Sequence, residues 1–172
     1  MNDIDFAALS LMDALDLAIL VEEEAAERYQ ELAEQMQLHH TPEAAKFFRF
    51  MIVNETKHGD ELMARRQQLF GEAPRNVDPS MLWEVEAPAY DEVRVFMTAR
   101  EALGVALGAE QKAHRFFAEA LGHVDDEDVK KLFEELKEEE IYHQELVNKE
   151  LDKLPEDPKV KTEDFADEPV GH

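Results

Sequence analysis

Residues 46–58, KFFRFMIVNETKH, are echoed 85 positions later by residues 131–143, KLFEELKEEEIYH. Lys46, Phe48, Met51, Glu55 and His58 fall on Lys131, Phe133, Leu136, Glu140 and His143. Apolar residues spaced by three and four mark one face of an α-helix, not the alternation of a strand. A glutamate and a histidine three residues apart on that face are neighbours, with Cβ atoms roughly 5–6 Å apart, close enough to bind one metal ion together. A second echo precedes the first at a shift of 88. Ser10, Ala14, Leu15, Ala18, Glu22, Ala25 and Tyr29 fall on Thr98, Ala102, Leu103, Ala106, Glu110, Ala113 and Phe117. The chain therefore reads as an internally duplicated helical hairpin, an all-α four-helix bundle.

Each helix has its own start and stop signals. Ser10 to Asp13 and Thr98 to Glu101 have the spacing of capping boxes, and Thr41-Pro42 offers an N-cap followed by a first-turn proline. Asp125 and Asp126 open the fourth helix. The expected inward stripes are Leu15, Ala18, Glu22, Ala25, Tyr29, Leu32 and Met36; Phe48, Met51, Glu55, His58, Leu62 and Leu69; Leu103, Ala106, Glu110, Ala113, Phe117 and Leu121; and Val129, Phe133, Leu136, Glu140, His143 and Val147. Gly71 and Gly122 are expected to end the second and third helices, and Leu154-Pro155 the fourth. Between about 71 and 96, Pro74, Pro79 and Pro88 interrupt any periodicity, which suits a long crossover joining two hairpins. This divides the chain into a bundle over 1–154 and an acidic tail over 155–172 expected to be flexible.

Composition narrows the chemistry. The 172 residues carry a formal charge of −23 and no cysteine. Disulfides, thiolate catalysis and sulfur-ligated iron are thereby excluded, and redox chemistry must use oxygen and nitrogen ligands. So acidic a surface repels nucleic acid and anionic lipid and attracts divalent cations. The first twenty residues contain Asp3, Asp5, Asp13 and Asp16 without a basic leader, and no apolar run approaches a membrane span. A cytoplasmic protein is expected.

In a chain with 41 acidic residues and 7 histidines, a single Glu-x-x-His pair carries little weight. Any one of these residues alone reads as a solvated charge or a satisfied core histidine. Together, Glu22, Glu55, His58, Glu110, Glu140 and His143 sit at duplicated positions on apolar stripes, and all four helices contribute. Burying four uncompensated carboxylates would cost several kcal/mol each, and two divalent cations would balance them. Carboxylates with one imidazole per ion suit iron, with manganese or zinc as substitutes. Glu23, Glu24, Glu138 and Glu139 are expected to face solvent. Tyr29 lies two turns from Glu22, where its hydroxyl could hydrogen-bond a ligand. His114, one turn beyond Glu110, reads as an interior or boundary histidine, with approach to the site as the alternative.

The pattern Glu-x-x-Ala-x-x-x-Tyr, Glu-x-x-His, Glu-x-x-Ala-x-x-x-Phe, Glu-x-x-His resembles the ferritin-like diiron domain of rubrerythrin and its relatives, over roughly residues 10–153. The resemblance implies Glu22, Glu55 and His58 on one iron and Glu110, Glu140 and His143 on the other, with Glu55 and Glu140 bridging. It also implies a diiron oxidoreductase that reduces peroxide or dioxygen. Two departures stand out: with no cysteine there is no rubredoxin-type donor, so a separate electron-donor protein is required, and Ala113 occupies the place of a further family glutamate. The six-residue set is similar to a bacterioferritin-type ferroxidase centre, so ferroxidation for iron sequestration is the alternative. An acidic helical interaction module without metal is the second. Hairpins joined by a long crossover can exchange between protomers, so a homodimer, domain-swapped or not, is the expected assembly.

Overall fold

The computed structural model describes residues 4–38, 41–77 and 98–155. A short 3-10 turn, Phe6–Ala8, precedes four helices: α1 (Leu11–Leu38), α2 (Pro42–Phe70), α3 (Ala99–Leu121) and α4 (Glu127–Leu151). Among the described residues there is no strand. α1 packs along α2 and α3 along α4, and the two hairpins meet through α1 against α4 and α2 against α3. The bundle of two hairpins expected from the duplication is the fold observed.

Local chemistry sets most helix ends. Thr98 and Glu101 form a reciprocal capping box on α3, and the Asp126 carboxylate accepts from the backbone N–H groups of Asp128 and Val129. Ser10 Oγ accepts from the Asp13 N–H, but the Asp13 carboxylate receives the Ser10 hydroxyl rather than a backbone donor. Thr41 departs from expectation. Its side chain makes no cap bond to α2 and donates instead to the Met36 carbonyl (2.9 Å), closing the end of α1. The link between the helices is short enough for Thr41 to reach back. Gly71 stops α2 at a positive φ of 57°, a conformation that a side chain would strain. The last carbonyls of α4 accept from Arg100, which bonds Leu151, Leu154 and Pro155.

The core is layered along the bundle axis. One apolar cluster gathers Leu15, Ile19, Leu62, Phe117, Phe133 and Leu136. The other gathers Tyr29, Met36, Phe48, Met51, Leu103 and Val147. Each buried large side chain contributes about 1.5–3 kcal/mol of transfer free energy. The duplication is visible in the packing: Tyr29 stacks on Phe48 with ring centroids 5.9 Å apart, and their repeat mates Phe117 and Phe133 meet at 5.5 Å.

Leu69, expected inward, is 52% exposed, because the α2 stripe turns away after Leu62 and the buried place one turn on goes to Arg66. Arg66 pairs with the fully buried Asp16 at 2.7 Å and also donates to the carbonyls of Gly71 and Ala73. Asn76 donates to Asp13, and Val77 packs on the first cluster, so the start of the crossover is fastened along α1. The remainder of the expected crossover (78–97) and the expected tail from 156 onward lie outside the described residues. No helix among the described residues is long and apolar enough to cross a membrane.

Candidate metal centre

Between the two apolar clusters every helix changes character at one level. Glu22 on α1, Glu55 on α2, Glu110 on α3, and Glu140 with His143 on α4 are all buried, at 2% exposure or less. His58 on α2 is partly exposed, with 13% of its side chain accessible. The six residues singled out by the duplication are thus brought to one layer of the bundle. The imidazoles of His58 and His143 lie parallel, with centroids 5.2 Å apart.

His143 Nδ1 lies 3.3 Å from Glu110, 3.4 Å from Glu55 and 3.8 Å from Glu140. Yet both His143 ring nitrogens, both Glu110 carboxylate oxygens, Glu22 Oε2 and His58 Nδ1 are buried without a hydrogen bond of acceptable geometry. Buried polar atoms are nearly always satisfied, so a set of them at one level needs an account. A crowd of such donor atoms at one level could hold a metal ion. Three groupings bring donor atoms within 4.8 Å of one another: Glu110 with Glu140 and His143, Glu55 with His58 and His143, and Glu22 with His58 and Glu139. All the donors are carboxylate oxygens and imidazole nitrogens, the chemistry that fits iron or manganese.

The electrostatics agree. Burial raises the Glu22 carboxyl from 4.5 to about 7, partly offset by a hydrogen bond with Glu55 and by the charge of His143. Burial works to strip His143 of its proton, but Glu110, with Glu22 and Glu139 beyond, outweighs it and holds the imidazole above its ordinary range. His58 goes the other way, lowered by burial and then by the charge of His143. Among the described residues no lysine or arginine is ion-paired to Glu22 or Glu110, and Arg66, the buried cation of α2, is committed to Asp16.

The profile of the rubrerythrin family matches residues 13–151, with a second, overlapping match at 101–168. The chain belongs to the rubrerythrin family. Domains of that family bind a diiron centre, and this chain holds candidate glutamate and histidine groups for a metal. A crystal structure of an uncharacterised conserved protein from Magnetospirillum magnetotacticum MS-1 is similar, at 33% identity and a TM-score of 0.70. The match covers 89% of this chain and 100% of that one. No curated protein matches.

Two residues depart from their expected places. Glu139, expected to face solvent, stands 37% exposed with Oε2 4.0 Å from His58 Nδ1. Its repeat mate is Asn54, whose side chain turns to the Phe50 carbonyl, so comparing the halves hides Glu139. The signal for it was its place four residues before His143, on the shoulder of the same face. Glu24 is half-buried, and burial raises its carboxyl, whereas Glu23 and Glu138 are exposed as expected. The Tyr29 hydroxyl is buried and reaches no hydrogen-bond partner among the described residues. His114 joins none of the donor groupings.

Proposed function

We propose that the chain is a non-haem diiron oxidoreductase that reduces peroxide or dioxygen with electrons from a separate donor protein. The observation that supports it is the layer of buried carboxylates and imidazoles contributed by all four helices, whose donor atoms fall into three groups each close enough to share an ion. Glu22, Glu55 and His58 would hold one iron and Glu110, Glu140 and His143 the other, with Glu55, close to His143, well placed to serve both. When bound, a pair of irons supplies two electrons, turning peroxide and two protons into two waters as both ions go from Fe(II) to Fe(III).

The chain's own contribution is position and dryness. Apolar clusters above and below keep water from the layer. A cleft of about 110 Å³ between α2 and α4, lined by His58, Glu61, Leu62, Arg65, Glu135 and Glu139 among others, opens beside the layer and offers a way in. Arg65 and Glu135 pair across it at 2.9 Å. An opening of this size suits a small molecule such as peroxide better than a bulky substrate. Ferroxidation without reductive turnover is the second reading, supported by Ala113, fully buried beside Glu110 where a further carboxylate would complete the family pattern. A second copy of the chain is the proposed assembly partner.

Anaerobic titration of the metal-free protein with Fe(II), then peroxide, then a reductant, tests the reading. Two irons per chain, a gain of at least about 2.7 kcal/mol in stability at a hundredfold excess over the dissociation constant, and repeated turnover are expected. A single round of oxidation with retained ferric iron favours the second reading. No iron uptake and no stabilisation overturns both.

A further inference from the structure

We propose that Glu139 is a seventh donor of the centre, completing the coordination of the metal held by Glu22 and His58 from the mouth of the cleft. This rests on the diiron reading of the site and adds a ligand that neither duplication nor family pattern assigns.

Three observations on different helices converge. Glu139 Oε2 stands 4.0 Å from His58 Nδ1, and the donor atoms of Glu22, His58 and Glu139 lie within 4.8 Å of one another. Two donors about 2.1 Å from a common ion stand about 3 Å apart at right angles and about 4.2 Å apart when opposite, so this spacing needs only a small closing movement. Glu22 Oε2 is buried in a side chain only 2% exposed and has no hydrogen-bond partner, and His58 Nδ1 is likewise buried and unbonded. An exposed acidic cluster would leave no such atoms, because water would satisfy them.

The helix explains the direction. Glu139 precedes Glu140 by one residue, about 100° round α4, so when Glu140 points into the layer Glu139 points toward α2 and His58. Its exposure of 37%, against 2% for the Glu140 side chain, leaves it free to move between solvent and the ion. The half-site thereby gains a third helix, with α1, α2 and α4 each supplying a donor. Among the described residues, the grouping of Glu110 with Glu140 and His143 includes no such half-exposed carboxylate.

The test is titration of the full-length metal-free chain with Co(II), whose visible absorption reports coordination number, against a competing chelator. Wild type, Glu139→Gln and Glu138→Gln are compared, the last removing an equal charge from the exposed adjacent position. Loss of partners that merely orient ligands costs about 10–100-fold in affinity, so loss of a direct ligand should weaken one of the two equivalents at least about tenfold. The absorption of that equivalent should change, while Glu138→Gln should titrate as wild type. Helicity of both metal-free variants should match wild type, since Glu139 lies at the surface. A Glu139→Gln protein with the affinity and spectrum of Glu138→Gln overturns the proposal and leaves the diiron reading standing. A wild-type chain that binds no Co(II) overturns both.

Discussion

Replacing Glu22 by glutamine should stabilise the metal-free protein at alkaline pH while impairing metal binding. Burial raises the Glu22 carboxyl from 4.5 to about 7 in the folded chain, and unfolding returns it to the ordinary value. Between those pH values the native state keeps a proton that the unfolded state has released, so stability falls as pH rises through the window. Below it both states are protonated and the penalty vanishes; above it the penalty is complete. A gap of about 2.5 pH units at 1.36 kcal/mol each amounts to roughly 3 kcal/mol at pH 8, against less than about 1 kcal/mol at pH 5. Glutamine has no charge to desolvate and should recover most of the difference. Urea unfolding followed by circular dichroism, with chelator present, measures it at both pH values. Equal midpoints for variant and wild type at pH 8, or the same gain at pH 5 and pH 8, would refute the claim that buried charge destabilises the empty centre.

Arg66→Ala should cost about 3–5 kcal/mol, since it leaves Asp16 buried with only the looser Arg75, at 3.6 Å, nearby; thermal melts of the metal-free protein would show it. Thr98→Ala removes one arm of the α3 capping box and should cost about 1 kcal/mol in the same melts, with metal affinity unchanged.

The helices and the gathering of the six candidate residues in one layer were legible because duplication supplies an internal control. Glu55 and Glu140 could be told from neighbouring glutamates by their shared place on an apolar stripe. The same control conceals whatever the halves do not share. Glu139 pairs with Asn54, and the buried Asp16 and Arg66 pair with Gly104 and Leu151. These residues depend on contacts between helices, which a pattern along one helix does not encode. Leu69 illustrates the same limit: its spacing belongs to the stripe, but α2 extends beyond the neighbours that could cover it, and the residue is exposed. Thr41 shows it at a terminus, where a hydroxyl could serve either of two helices and proximity to Met36 decided.

His143 is sealed, at 1% exposure, while His58 opens to the cleft with 13% of its side chain accessible. A symmetric blueprint has therefore produced two histidines with unequal access to solvent. With two ions bound as proposed, a chelator entering from the cleft would be expected to empty the His58 side first and leave a half-loaded chain. Refilling such a chain with a different divalent ion would then give a heterobimetallic centre from a single motif, with the order in which metals are supplied, and not their affinities alone, deciding its content.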